Sequence, residues 1–233
     1  MRTKIFCDIA DIDQIRKFNK INLVKGFTTN PSLIRKAGAK SYQSYCKKIL
    51  KTCNKKPISF EVFADTPKEM EAQALKINQW GKNVFVKIPV VNSKGFFMGK
   101  VINKLNKRGI KLNITAIYKF QQTKKILKNL DKKTKTILSI FAGRMADAGH
   151  DPLPIFKKSL VASKSFKNVE ILWASTREPY NYLQANELGC HIITTPPNII
   201  NKILNFGKSQ NLLTIDTVKG FLLDSKKSKF NLK

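Results

Sequence analysis

The sequence has no uninterrupted apolar run near the ~18 residues that cross a bilayer, so neither a membrane-embedded class nor a membrane partner is expected. Cysteine is scarce: Cys7, Cys46, Cys53 and Cys190 form no CxxC pair, and His150 and His191 are the only histidines. That donor set offers few zinc ligands, so reduced structural thiols and no metal or other cofactor are predicted. No Walker or dinucleotide glycine pattern occurs; Gly26, Gly143 and Gly149 read as turn residues. The N-terminus reaches Asp8 too early to hold a signal-peptide apolar region, which predicts a cytoplasmic protein.

Acidic residues are also few. Fifteen Asp+Glu stand against 44 Lys+Arg, for a formal net charge of +29. Such a balance raises the possibility of a polyanion partner. Only 6 of the 44 basic residues are Arg, however, whereas specific readout of bases and phosphates favours the guanidinium fork. The lysines are spread along the whole chain, so general lysine usage accounts for them better than a nucleic-acid face. No specific nucleic-acid partner is expected. Attraction for phosphorylated metabolites is the more useful consequence.

With those classes set aside, 42% hydrophobic and 25% charged residues describe a globular chain. At 233 residues it buries a full core without staples. Short β-branched runs suited to strands cover residues 5–8, 24–28, 58–62, 84–88, 112–116, 136–140, 169–173 and 191–194. Helical periodicity fills 11–19, 41–52, 66–80, 96–107, 120–130, 153–163, 179–188 and 197–206. Thr66-Pro67-Lys68-Glu69 reads as a capping box with proline in the first turn. Eight strand–helix units with short connections demand a parallel sheet. They predict an α/β fold, a (β/α)8 TIM barrel, with an open doubly wound sheet as the alternative. No linker divides the chain, so residues 1–233 read as one barrel domain. Residues 212–223 add a further C-terminal helix, followed by a basic tail over 225–233.

In such a barrel the chemistry collects at the C-terminal strand ends. The first strand ends in Asp8, the second in Thr28-Thr29-Asn30, and the third holds Glu61. Lys87 lies in the fourth, Asn113 and Thr115 in the fifth. Ser139 and Arg144 follow from the sixth, Ser175 and Arg177 from the seventh. Lys87 interrupts an otherwise apolar strand and faces opposite Val86 and Ile88. Burial lowers a lysine pKa by up to ~3–5 units, which would leave a nucleophilic amine for Schiff-base chemistry. Alternatively, Lys87 pairs with Glu61 or Asp8 at the rim. Glu61 is either that partner or an acid/base, and Asp8 is either a base or the cap of the first helix. Arg144 and Arg177 together suit an anionic terminus, with Ser175 as an added donor, whereas either taken singly reads as a surface arginine. The loop residue His150 and the run Asp131-Lys132-Lys133-Thr134-Lys135 read as solvated.

Gly26-Phe27-Thr28-Thr29-Asn30-Pro31-Ser32-Leu33, Val86-Lys87-Ile88-Pro89 and Ser139-Ile140-Phe141-Ala142-Gly143-Arg144 resemble the transaldolase family. Ala174-Ser175-Thr176-Arg177 and Gly189-Cys190-His191-Ile192-Ile193-Thr194 extend the likeness over nearly the whole chain, and the length is similar to the small single-barrel members, which include fructose-6-phosphate aldolases. The resemblance implies a metal-independent class I transaldolase moving a dihydroxyacetone unit between sugar phosphates. Lys87 would form the Schiff base, and Asp8 would deprotonate the C4 hydroxyl. Glu61 and Thr115 would act through a water. Thr28 and Phe141 would line the substrate site, Asn30, Asn113 and Ser139 would hold the dihydroxyacetone portion, and Arg144, Ser175 and Arg177 the phosphate. Glu61, Phe141 and Asn113 resemble the transferases more than the aldolases. Thr176 departs from the family's aromatic and, with Trp173, bears on which anion is bound. The family likeness further implies a ring of subunits joined through the last helix. Two alternatives stand beside this reading: an aldolase releasing free dihydroxyacetone, and a polyanion-binding barrel protein.

Overall fold

The computed structural model describes residues 3–53 and 55–229. Eight parallel strands close into a barrel in sequential order, with β8 returning to β1, so the open-sheet alternative is excluded. The strands are β1 Lys4–Asp8, β2 Val24–Thr28, β3 Ile58–Glu61, β4 Val84–Pro89, β5 Leu112–Ile117, β6 Thr136–Phe141, β7 Val169–Ala174 and β8 Ile192–Thr195. They read as near-continuous apolar runs because both faces are covered. Outward residues such as Val86, Ile88, Ile114 and Trp173 join the large core beneath the helices. Inward residues Phe6, Phe85, Ile137, Leu172, Ala174 and Ile192 form a separate plug inside the barrel. Gly26 belongs to that interior: a Cβ there would meet the Phe6 ring at 2.6 Å.

Side-chain alternation then sorts polar groups to the two mouths. Two residues beyond the plug, toward the C-terminal ends, stand Asp8, Lys87, Ser139 and Thr194. Two residues before it stand Lys4, Lys135 and Glu170. Neighbouring strands bring Glu61 beside Lys87, and Lys87 beside Asn113.

Helices α1 Ile12–Asn19, α3 Tyr42–Thr52, α4 Pro67–Asn78, α5 Gly99–Lys107, α6 Phe120–Leu127, α8 Leu153–Ser163, α9 Tyr180–Glu187 and α10 Pro197–Leu204 occupy the predicted gaps, with shifted ends. The Thr66 hydroxyl accepts the Glu69 amide at 3.3 Å and donates to the Glu69 carboxylate at 2.7 Å, closing the cap of α4. Asp11 rather than Asp8 caps α1, accepting from the Gln14 amide at 2.8 Å. Two short helices, α2 Pro31–Lys36 and α7 Ala142–Asp147, were not expected. Six residues cannot display a periodic apolar stripe, and α2 buries only Ile34.

The final helix, α11 Gln210–Ser228, starts earlier than expected and absorbs the first part of the basic tail. None of its side chains is buried, although Leu212, Leu213, Ile215, Val218, Phe221, Leu222 and Leu223 are all apolar. The end of the predicted tail, 230–233, lies outside the described residues. Among the described residues no helix is long and apolar enough to cross a membrane. All four cysteines are buried and unpaired. Burial pushes the Cys46, Cys53 and Cys190 thiols up to about 12.

Candidate active site

A cavity of about 220 Å³ opens at the C-terminal mouth. Eleven of the twelve residues predicted from sequence line it: Asp8, Thr28, Asn30, Lys87, Asn113, Thr115, Ser139, Phe141, Arg144, Ser175 and Arg177. Glu61 does not reach the cavity wall. It stands behind Lys87, with its Oε2 3.0 Å from the lysine Nζ.

Lys87 is 7% exposed. Its Nζ also donates to the Thr29 carbonyl at 3.2 Å, so two acceptors hold the amine that β4 presents to the C-terminal mouth. The salt-bridge and acid/base readings of Glu61 therefore fall on the same pair of atoms. Asp8 is the second carboxylate near this amine. Burial raises its pKa, while the Lys87 charge and a hydrogen bond from Thr28 act in the opposite direction. Thr28 Oγ1 donates to Asp8 Oδ1 at 2.6 Å and lies 2.6 Å from Thr194 Oγ1. Thr28 has one hydroxyl proton, so Thr194 must donate to Thr28, and a chain of hydroxyls ends on the carboxylate.

A buried polar chain links β6, β5 and β3. Ser139 Oγ donates to Asn113 Oδ1 at 2.7 Å, and Asn113 Nδ2 donates to Ser59 Oγ at 3.0 Å. This fixes the Asn113 amide orientation. Thr115 Oγ1 is buried and has no hydrogen-bond partner among the described residues. Asn30 divides its functions: Oδ1 caps α2 through the Leu33 amide at 2.9 Å, which turns the residue toward the cavity.

The outer wall is cationic. Arg144 lies over the Phe141 ring, 5.7 Å from its centroid, and makes no ion pair among the described residues. Arg177 does not stand free. Its Nε lies 3.0 and 3.1 Å from the two Asp147 carboxylate oxygens, and its Nη2 is 2.5 Å from Oδ2. The Arg177 hydrogen bonds hold the Asp147 carboxyl below its usual range. Ser175 adopts a left-handed backbone, φ 62°, and its carbonyl presses on Gly143, where a Cβ would come within 1.8 Å. Ala116, following Thr115, also has positive φ, 60°. Strained residues of this kind cost ~1–3 kcal/mol each and persist only where surrounding structure over-determines them.

Two expectations are corrected here. Trp173 faces outward and stacks on Phe156 at 4.5 Å, so it does not shape the cavity. Thr176 is buried and ties its loop to β8 by donating to the Thr194 carbonyl at 2.7 Å; it does not line the cavity either. Residues not singled out in advance as site residues include Ser59, Thr194, Asp147 and the Thr29 carbonyl. Ser59 shares the inward face of β3 with Glu61, and Thr194 is the last residue but one of β8, so side-chain alternation reaches both. Asp147 sits on the unexpected α7.

The model of the Transaldolase/Fructose-6-phosphate aldolase family matches residues 5–233. A protein called probable transaldolase from Dehalococcoides mccartyi is 33% identical over 224 residues, covering 96% of this chain and 98% of its own. Another of that name from Thermoanaerobacter is 34% identical over 202 residues, covering 86% and 89%. Among solved structures, KGPDC from Streptococcus mutans superposes with a TM-score of 0.58 at 9% identity, covering 85% of this chain and 90% of its own, a likeness of fold alone. By the family match and these relatives, the chain belongs to the transaldolase/fructose-6-phosphate aldolase family.

Proposed function

We propose that the protein is a Schiff-base transaldolase that moves a dihydroxyacetone unit between phosphorylated sugars. The observation that carries this reading is the placement of the Lys87 amine. It is buried in the C-terminal half of β4, 3.0 Å from one carboxylate and within the electrostatic reach of another, and it opens into a polar cavity.

Glu61 takes the proton that Lys87 gives up, and the amine attacks the ketose C2 carbonyl. Protonation of the carbinolamine oxygen and loss of water give the iminium, with Glu61 and the Thr115 hydroxyl acting through a water. Asp8 then removes the C4 hydroxyl proton. The C3–C4 bond breaks, its electron pair moves to the iminium nitrogen as an enamine forms, and an aldehyde leaves. An acceptor aldehyde reverses these steps, and hydrolysis frees Lys87. The raised Asp8 pKa suits a general base. Asn113 and Ser139 face the hydroxyls of the three-carbon unit, while Arg144, Arg177 and Ser175 take the phosphate.

Glu61, Phe141 and Asn113 favour transfer over release within the family. A coupled assay separates the two: ketose phosphate with an acceptor aldose phosphate should turn over continuously. Equal sustained turnover without acceptor would make the protein an aldolase. The exposed apolar side chains of α11 further support a ring in which this helix packs on a neighbouring copy.

A further inference from the structure

We infer that the N-terminal mouth of the barrel is a second binding site, for a compact polyanion bearing several phosphoryl groups. It is separate from the catalytic mouth and does not depend on the chemistry proposed there.

A cavity of about 370 Å³ lies below the plug, based on Phe6, Phe85 and Ile137. Six lysines line it: Lys4, Lys25, Lys55, Lys82, Lys111 and Lys135. One comes from the entrance of each of six consecutive strands, so topology gathers into a ring what looks scattered along the chain. A larger cavity of about 640 Å³ shares Lys4 and Lys135 and adds four more lysines, two of them from the 131–135 run expected to be merely solvated. Asp131 of that run accepts the Lys133 and Thr134 amides at 2.9 and 2.7 Å, which holds the turn that presents these lysines.

Compensating charge is sparse. Glu170 is the one carboxylate lining either cavity among the described residues, and it is already paired with Lys4. Lys25, Lys55, Lys82, Lys111 and Lys135 make no ion pair among the described residues. Lys111 donates to the Lys82 carbonyl and lies over the Phe85 ring, which anchors its stem without neutralising it. Treated as a sphere, the smaller cavity is about 9 Å across, comparable to the ~8 Å Debye length at physiological salt, so the lysine potentials add at its centre. Burial, and then the charge of Lys135, lower the Lys111 pKa.

The shape selects the ligand class. The cavity is floored by plug residues, and its aromatic residues Phe6 and Phe85 are buried beneath the lysines. Bases therefore find no stacking platform, which argues against single-stranded RNA. Lysine ammoniums act as point charges without the planar fork of Arg, so recognition here counts charges rather than reading shape.

The test is calorimetric titration of the full chain with tripolyphosphate and orthophosphate. Wild type should show one saturable tripolyphosphate site per chain, with orthophosphate at least tenfold weaker and no displacement by fructose 6-phosphate. Lys82→Gln/Lys111→Gln/Lys135→Gln should weaken tripolyphosphate at least tenfold. The charge-matched Lys68→Gln/Lys76→Gln/Lys100→Gln, on exposed helix faces, should change it less than twofold. Removing mutually repelling charges should not unfold the chain; if the triple variant fails to fold, Lys135→Glu carries the same expectation. Equal losses in both triple variants, unchanged binding in the mouth variant, or full displacement by fructose 6-phosphate would each overturn the proposal. So would binding of long RNA without a saturable tripolyphosphate site.

Discussion

The two mouths of the barrel are made by the same eight strands, yet their charges are arranged in contrasting ways. At the C-terminal mouth three cations, Lys87, Arg144 and Arg177, meet three carboxylates, Asp8, Glu61 and Asp147, and two of the cations are held at hydrogen-bond distance. At the N-terminal mouth six lysines face one glutamate. Paired charges fix atoms in place, as proton transfer and C–C cleavage require. Unpaired charges of one sign raise a potential without fixing a geometry, which suits ligand capture more than chemistry. The contrast explains how a chain of net charge +29 can still carry a site with near-balanced charges.

The sharpest way to break this contrast is Lys87→Met. Turnover should vanish in a steady-state assay, while lysine substitutions at the other mouth leave it unchanged. Glu61, with a 19% exposed side chain, would be left without its cation, a loss expected to cost about 3 kcal/mol. Denaturant melts should therefore show Lys87→Met destabilised, and adding Glu61→Gln should restore stability but not turnover.

Asp8→Asn should lower kcat by about 10²–10⁴-fold. Burial places the Asp8 pKa above its usual carboxylate value, so in wild type kcat/KM should rise with pH through that raised value. The variant should lose this limb. The native state also holds the Asp8 proton more tightly than the unfolded chain. Ionising it therefore costs stability as pH climbs from the ordinary carboxylate range to the raised value, and melts of Asp8→Asn should lose that dependence.

Gly143→Ala forces a Cβ against the Ser175 carbonyl. It should raise KM for a phosphorylated ketose roughly tenfold and destabilise the chain by about 1–3 kcal/mol. Asp147→Asn should act least. Loosening Arg177 should raise that KM a few-fold and leave kcat and the acid limb of the pH profile in place.

The barrel was legible because its strands, buried on both faces, stand out as apolar runs, and because polar residues at their ends mark one mouth. Eleven predicted side chains share a cavity for that reason, and the twelfth, Glu61, touches Lys87 from behind. Pairing within the mouth was less legible. Asp147 meets Arg177 only because the six-residue α7 turns it back, and a helix that short leaves no periodic trace. Trp173 shows the opposite error: it was grouped with Thr176 as bearing on the bound anion, but alternation sends its ring outward onto Phe156. The lysine ring was hidden because each member arrives once per strand–helix unit, a spacing that looks like dispersion until the barrel closes.

The central claim is that one amine, carried by β4 into the C-terminal mouth, condenses with a carbonyl. Borohydride reduction in the presence of a ketose phosphate, followed by peptide mass mapping, tests it directly. The account predicts a stable adduct on the peptide containing Lys87, absent from Lys87→Met. An adduct on another lysine, or none while turnover proceeds, would contradict it.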